Sequence, residues 1–294
     1  MKIALLGTNK GKFSLVFSED VMKKLKEYGE VSSELIMSVP VKAPVSQVVE
    51  RGIRAESLSL GTYSVLQTTG YFKTTPIEEG LTLYRFTGKC DVSNDNQDVY
   101  VLELDLDNPG YKLYFHYGGS TTSAAAKNLN AIGAVNGTYE LEAVYVRTQG
   151  VNRSEVTLQP GHQRFWKHNA AIVGDGRKIA IVNGAGRFPA HSNEAGENAI
   201  NLYKSLPEPN IFGAAPMLID DFEPVGASFV PDYANPNDYQ KEDAFGHQGN
   251  RHPRTAYALT ADNDLLLVVV DGRTSKAKGM TMIDLINYRY HPID

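Results

Sequence analysis

The sequence lacks most of the features that mark nucleic-acid-binding, zinc-binding and membrane proteins. Cys90 is the only cysteine among 294 residues, so neither an intrachain disulfide nor a cysteine-based zinc site can form. No run rich in lysine and arginine occurs and the net charge is -5, which disfavours binding to a polyanion such as DNA. The longest apolar run, residues 265–270, is far shorter than the about 20 residues of a membrane span.

The beginning of the sequence shows no signal-peptide pattern. Its apolar stretch, residues 3–6, is shorter than the about 7–15 residues of a signal h-region. The contents of 42% hydrophobic and 21% charged residues are typical of a globular protein, which does not favour disorder. We therefore expect a folded chain without a membrane span.

The first thirty residues predict one strand and one helix. Residues 2–7 are apolar enough for a buried strand, and an amphipathic helix is predicted between Ser18 as its N-cap and Gly29 as its stop. This unit resembles the opening of a 2-hydroxyacid dehydrogenase. However, no G-x-G-x-x-G follows the strand, so a nucleotide-dependent oxidoreductase is the least favoured hypothesis.

From about residue 39 the pattern changes to a proline-bearing linker and then to short strands separated by glycine and polar turns. Residues 99–119 predict a β-hairpin, because two alternating runs flank the turn Asn108-Pro109-Gly110. In the first of these strands the face of Val101 and Glu103 is expected to be wet, and the face of Leu102 is expected to be buried.

A short helix is predicted to begin after Ser120 or Thr121 and to lead into a strand at 131–135. Farther along, glycine, proline, asparagine and aspartate are frequent, and residues 207–216 and 230–243 are predicted to be long irregular loops. The predicted fold class is α+β, with a mostly antiparallel twisted sheet, flanking short helices and long functional loops.

Four clusters place polar residues where an apolar strand should end. The first is Asn136-Gly137-Thr138, where an Asn-Gly pair lets the backbone turn sharply and present its N–H groups. The second is Asp220 and Asp221, which follow a stretch at 216–219 that is expected to be buried. Paired carboxylates can bind a metal ion or perform acid–base work. Taken singly, both clusters also fit ordinary solvated turns.

The third and fourth clusters carry the candidate cations. In residues 252–255 a proline fixes an extended entry to a strand that begins at Arg254, whose guanidinium suits a phosphate or a carboxylate. Residues 271–273, Asp-Gly-Arg, end the strand 265–270, and Thr281 is placed to cap a helix with Asp284 three positions on. A surface ion pair and a simple turn are the alternatives.

In their order along the chain, these clusters resemble the phosphodiester glycosidase family. The segments that carry the resemblance are A-V-N-G-T-Y, A-P-M-L-I-D, H-P-R-T-A, V-V-V-D-G-R and G-M-T, and the similarity extends from about residue 81 to 285. Two further segments, S-E-V-T-L-Q-P-G-H and R-F-W-K-H-N-A-A-I-V, are similar to members from gut Bacteroidetes. We accordingly predict an atypical N-terminal segment, 1–78, and a glycosidase-like domain, 79–294.

The resemblance implies hydrolysis of a sugar-1-phosphodiester, typically of N-acetylglucosamine, to free sugar and phosphomonoester. It also implies an extracytoplasmic, exopolysaccharide-associated bacterial protein, with a sugar phosphodiester or glycan as its partner and no cofactor. Cations would hold the phosphate, and a carboxylate would activate water or stabilise the sugar cation. The implied catalytic residues are Asp271, Arg273, Arg254 and Asp220, and the implied substrate-binding residues are Asn136, Gly137, Thr138, His252, Thr255 and Gly272.

The sequence also differs from the family pattern in one segment. Family members continue after G-M-T-M-I-D-L into a strand that ends in a glycine-rich, aspartate-bearing loop, whereas this chain reads I-N-Y-R-Y-H-P-I-D at that place. We therefore expect a C-terminally truncated domain, and a non-catalytic phosphosugar-binding relic of the same fold is the alternative to the enzyme. No metal is predicted, because the acidic residues do not have the spacing of a calcium loop and the histidines lack H-x-x-x-H spacing.

Overall fold

The structure is a computed structural model that describes residues 2–7, 15–17, 71–119, 121–138, 141–162, 164–188, 192–224 and 249–288. The helix predicted between Ser18 and Gly29, the linker after residue 39 and the loop predicted at 230–243 lie outside the described residues. Within the described part of the chain, no helix is long and apolar enough to cross a membrane.

Three sheets make up most of the described chain. Sheet I has the order β2-β7-β1-β6, in which β1 runs parallel to both of its neighbours. This confirms the strand predicted at residues 2–7. The strands of sheet I are β1 (Lys2–Gly7), β2 (Leu15–Phe17), β6 (Lys112–Tyr117) and β7 (Gly133–Asn136).

Sheets II and III are antiparallel throughout. Sheet II has the order β11-β10-β12-β8-β9, and its strands are β8 (Val146–Thr148), β9 (Val151–Ser154), β10 (Ala170–Gly174), β11 (Ile179–Asn183) and β12 (Asn210–Ala214). Sheet III has the order β15-β16-β5-β4-β3, and its strands are β3 (Tyr71–Glu78), β4 (Leu81–Cys90), β5 (Asp95–Asp105), β15 (Arg254–Leu259) and β16 (Asp264–Val270). The predicted α+β class with mostly antiparallel sheet is confirmed.

One apolar core joins the three sheets. Leu102 and Leu267 of sheet III, Phe115 of sheet I and Phe212 of sheet II belong to the same buried cluster. The rings of Phe115 and Phe212 meet edge to face with centroids 5.0 Å apart, a geometry that adds to the gain from burial. The opposite face of sheet III carries a second cluster around Val101 and Val268. Sheet III is therefore buried on both faces along its central strands, as predicted for residues 265–270.

The described residues contain three α-helices: α1 (Thr122–Leu129) between β6 and β7, α2 (Asn193–Ser205) between β11 and β12, and α3 (Met282–Asn287) after β16. The hydroxyl of Thr121 accepts a hydrogen bond from the amide of Ala124 at the start of α1, which confirms the predicted cap. At α3 the side chains of Thr281 and Asp284 form a reciprocal capping box, again as predicted.

The hairpin predicted at residues 99–119 is wrong. The turn itself is present, since Asn108 accepts a hydrogen bond from the amide of Gly110 at 2.9 Å. Its two flanking strands belong to different sheets, because β4 and β16 occupy both edges of β5 while β6 pairs with β1. The prediction that this face of β5 is exposed to solvent is also wrong. Val101 is fully buried in the second cluster, and Glu103 is half-buried.

The irregular loop predicted at residues 207–216 is wrong as well. This segment contains β12, which lies in the centre of sheet II between β10 and β8. Its residues Ile211 and Phe212 are completely buried. The prolines that suggested a loop lie before and after the five-residue strand, where they do not interrupt its hydrogen bonds.

Candidate active site

The third and fourth polar clusters meet at one end of sheet III. In the antiparallel ladder of β15 and β16, Arg254 pairs with Val270, so Asp271 is the first residue beyond this pair. The amide of Asp271 donates to the carbonyl oxygen of Asp98 at 2.9 Å. One carboxylate oxygen of Asp271 accepts from the amide of Gly272 at 2.8 Å. These two hydrogen bonds fix the half-exposed Asp271 at the end of the β15–β16 pair.

The backbone is packed too tightly at Gly272 for any side chain. A Cβ atom there would lie 2.7 Å from the backbone nitrogen of Pro253 and 3.0 Å from the Cα atom of Gly279. Gly272 therefore lets the segments at 253 and 279 approach the Asp-Gly-Arg turn. The structure shows a steric role for Gly272, and its predicted role in substrate binding stays a prediction.

Arg254 is 8% exposed, so its charge is almost entirely withdrawn from water. Its Nε atom donates to the carbonyl oxygen of Met280 at 3.0 Å, and its Nη2 atom donates to the carbonyl oxygen of Asn250 at 3.0 Å. A guanidinium stays charged when buried and satisfies carbonyl acceptors in this way. Arg254 consequently supplies a fixed positive charge behind the site and ties three chain segments together.

His252 and Arg273 form a direct side-chain pair. The Nε and Nη2 atoms of Arg273 lie 3.2 and 2.8 Å from Nδ1 of His252. The backbones of His252 and Met280 form an isolated antiparallel bridge, with N–H to carbonyl distances of 3.3 and 3.1 Å. Arg273 is exposed and has a left-handed φ of 63°. The structure therefore brings together His252, Arg254 and the Asp271–Arg273 turn.

The first cluster reaches the same region through β15. The hydroxyl of Thr255 donates to the side-chain oxygen of Asn136 at 2.7 Å. Tyr257 lies on the same face of β15, and its hydroxyl is 2.6 and 3.0 Å from the carbonyl oxygens of Asn136 and Gly137. Burial raises the pKa of Tyr257, so this phenol remains a donor. The carboxyl end of β7 is therefore held against one face of β15, and the neighbouring Arg254 lies on the opposite face of the same strand end.

Thr138 has an unusual side-chain environment. Only 3% of the residue is exposed, and among the described residues its hydroxyl has no hydrogen-bond partner. A buried hydroxyl without a partner costs free energy, typically about 1–3 kcal/mol. The site therefore holds one polar group that a ligand hydroxyl or phosphate oxygen could satisfy.

Asp220 lies on a separate hairpin, β13 (Ile219–Asp220) and β14 (Glu223–Pro224). Its carboxylate accepts from the side-chain amide of Asn183 at 2.8 Å, which attaches the hairpin to the end of β11. The edge strands β11 and β15 are in contact, and the predicted role of Asp220 in the site stays a prediction. The prediction that 216–219 is buried is wrong at Ile219, which is 45% exposed at the hairpin edge.

The turn of this hairpin is strained at Phe222. The pairing of Asp220 with Glu223 leaves Asp221 and Phe222 as a two-residue loop, with φ values of 48° and 65°. Such a turn favours glycine at its second position. We expect Phe222→Gly to raise the free energy of unfolding by about 1 kcal/mol, because a left-handed non-glycine residue costs about that much.

Chemical denaturation of the Phe222→Gly protein measures this gain. Phe222→Ala is the matched control, since it removes the same exposed ring but keeps the Cβ atom that causes the strain. Equal stability of the glycine and alanine variants would contradict the strain at this position.

Gln97 was missed by the sequence reasoning. It is 1% exposed, and its side-chain amide binds both backbone groups of Gly279: Nε2 donates to the carbonyl oxygen at 2.8 Å and Oε1 accepts from the amide at 3.1 Å. Gly279 precedes Met280, whose backbone pairs with that of His252 and whose carbonyl oxygen accepts from Arg254. Gln97 therefore positions the segment that contacts both residues. Tyr257 was missed too, although its position two residues after Thr255 placed it on the same strand face.

The comparisons with known proteins identify the family of this chain. A family model described as phosphodiester glycosidase matches residues 129–290, more than half of the chain. The chain belongs to the phosphodiester glycosidase family. The matched region contains Asn136–Thr138, Asp220, the 252–255 segment and the Asp271–Arg273 turn. Membership supports a glycosidase-like function for the chain.

One solved structure that is similar to this chain is the zebrafish N-acetylglucosamine-1-phosphodiester alpha-N-acetylglucosaminidase catalytic domain auto-inhibited by its pro-peptide. The two share 13% sequence identity with a TM-score of 0.39, over 95% of this chain and 78% of that one. No curated protein matches the sequence. In the parts of the chain that the structure describes, no group of three or more histidine, cysteine, aspartate or glutamate residues is arranged to hold a metal ion.

Proposed function

We propose that the protein hydrolyses a sugar-1-phosphodiester, with N-acetylglucosamine as the sugar, to free sugar and a phosphomonoester. The observation that carries the proposal is the meeting of the half-exposed Asp271 with His252, Arg254 and Arg273 at one end of the β15–β16 pair. The substrate is an anion at its phosphate and develops positive charge at the sugar, so cations and a carboxylate are both needed there.

In the proposed reaction, water attacks the anomeric carbon of the sugar. The bond between that carbon and the phosphate oxygen breaks, and its electron pair leaves with the phosphomonoester. Asp271 accepts the proton that the water loses. The buried charge of Arg254 and the exposed charge of Arg273 favour the negative charge that grows on the departing phosphate.

The first cluster would bind the sugar. The side-chain oxygen of Asn136 is occupied by Thr255, which leaves its NH2 group as the donor that can face a ligand. The hydroxyl of Thr138, which has no partner within the described part of the chain, would gain one from a sugar hydroxyl or a phosphate oxygen. Asp271 is preferred to Asp220 as the base, because Asp271 directly follows the strand pair that carries Arg254, whereas Asp220 lies on a separate, exposed hairpin.

The test is to incubate the purified protein with UDP-N-acetylglucosamine and with a simple alkyl N-acetylglucosamine-1-phosphate, and to measure free sugar. In water labelled with oxygen-18, the proposed bond cleavage puts the label in the sugar, whereas attack at phosphorus puts it in the phosphate. Asp271→Asn is expected to lower the rate at least about 100-fold, since it removes the base.

Asp262→Asn is the matched control, because Asp262 is exposed in the turn at the opposite end of the β15–β16 pair. A comparable loss in Asp220→Asn and none in Asp271→Asn would transfer the role of the base to Asp220. Binding of N-acetylglucosamine-1-phosphate without release of sugar from either substrate would instead support the alternative, a phosphosugar-binding relic of an enzyme.

A further inference from the structure

The pair of His252 and Arg273 fixes where the histidine carries its proton. Both guanidinium nitrogens point at the same ring atom, Nδ1, at 3.2 and 2.8 Å. A guanidinium has only donors, so Nδ1 must accept and cannot hold a proton. The imidazole is then neutral, and its proton sits on Nε2. The opposite edge of the ring is thereby made a hydrogen-bond donor.

The backbone on both sides keeps this pair in place. His252 is held by its two-way bridge to Met280. Arg273 sits in a tight turn in which its amide donates to the carbonyl oxygen of Lys278 at 3.3 Å, and the amide of Lys278 donates to the carbonyl oxygen of Asn96 at 2.9 Å. The ring and the guanidinium therefore meet because separate backbone anchors bring them together, which is the mark of a preorganised group.

We propose that Arg273 is a positioning residue, which holds His252 in its Nε2–H tautomer so that this N–H donates a hydrogen bond to the departing phosphate oxygen of the substrate. The proposal rests on the proposed function and assigns the two residues different roles. A neutral imidazole that is preset as a donor stabilises the growing charge on the phosphate oxygen without a proton transfer. Arg273 would act through His252 as well as through its own charge.

Nitrogen-15 NMR of histidine-labelled protein tests the tautomer directly. The resonance of His252 among the seven histidines is identified by its loss in His252→Gln. At neutral pH we expect an unprotonated Nδ1 and a protonated Nε2. In Arg273→Met the preference for the Nε2–H tautomer should disappear, which gives a mixture of tautomers. The thermal midpoint of unfolding should not change, because Arg273 is exposed. A protonated Nδ1 in the wild type, or an unchanged tautomer in Arg273→Met, would overturn the inference.

The rate of sugar release tests the donor. In His252→Gln the side-chain amide can reach the position of Nε2, so we expect the variant to keep its rate within about 10-fold of wild type. The shorter His252→Asn reaches only the position of Nδ1 and should lose at least about 100-fold in kcat, the usual cost of removing one such donor. Arg273→Lys retains a donor to Nδ1 and should recover part of the rate lost in Arg273→Met. Equal rates in the glutamine and asparagine variants would contradict the donor role.

A titration with N-acetylglucosamine-1-phosphate separates this inference from the proposed function. We expect the ligand to shift the Nε2 resonance of His252 in the wild type, whether or not sugar is released from a diester. Absent turnover would refute the proposed hydrolysis, while the shift would still support the contact between phosphate and Nε2. If the ligand binds and the Nε2 resonance does not move, the contact is disproved even in an active enzyme.

Discussion

Replacing Arg254 with methionine is expected to lower the free energy of unfolding by about 3 kcal/mol and the rate of sugar release by more than about 100-fold. Two charge-assisted hydrogen bonds, to the carbonyl oxygens of Met280 and Asn250, are lost, at about 1.5–3 kcal/mol for each such bond, and methionine recovers some of the packing. The carbonyl oxygen of Met280 keeps the amide of His252 as a donor, and water can reach the exposed Asn250, so the cost is that of the lost bonds and not of an acceptor left without a partner. The rate falls because the fixed positive charge behind the site is gone.

Urea denaturation measures the first effect, and sugar release at a temperature where the variant is fully folded measures the second. Arg187→Met is the matched control: this arginine is exposed, and its loss should change stability by less than about 0.5 kcal/mol. Arg254→Lys separates charge from geometry, because an ammonium keeps the charge but cannot reproduce the guanidinium fork. A fully stable and active Arg254→Met protein would show that neither the charge nor its two carbonyl contacts matter.

The ends of the strands could be predicted from the sequence because their signals are local. The apolar run at 265–270 and the abrupt change to Asp-Gly-Arg define both a core strand and the polar residues at its end. The caps at Thr121 and Thr281 depend on residues three positions apart. Since the site is built largely from such strand ends, the predicted groups at 252–255 and 271–273 do meet in the fold.

The pairing of distant segments could not be predicted in the same way. The turn at Asn108-Pro109-Gly110 forms, yet the partner of β6 is decided by β1, more than one hundred residues earlier in the chain. The contact of Gln97 with Gly279 spans 182 residues and leaves no local signal, because a buried glutamine resembles any polar residue at a strand start. Long-range register depends on how complete faces of the sheets pack together, which the pattern of a single segment does not encode.

The strongest test of this long-range organisation is Gln97→Leu, which we expect to lower the free energy of unfolding by about 3 kcal/mol. Leucine has nearly the same size but leaves the buried N–H and carbonyl groups of Gly279 without partners, at about 1–3 kcal/mol for each group. It also removes the donor to the hydroxyl of Ser93, at 2.9 Å. The rate of sugar release should fall at least about 10-fold, because the segment 279–280, which contacts His252 and Arg254, loses its anchor.

For a second variant, Gln97→Glu, we expect the free energy of unfolding to depend on pH. A protonated carboxyl can still donate to the carbonyl oxygen of Gly279 and accept from its amide, whereas a carboxylate would face that carbonyl oxygen with a negative charge. Burial and this contact should both raise the pKa of the introduced carboxyl in the folded protein above its unfolded value. Folding is then favoured most below the unfolded pKa, and that advantage disappears as the pH rises through the folded pKa. A glutamate variant whose stability relative to wild type is independent of pH would show that the amide of Gln97 does not bridge Gly279.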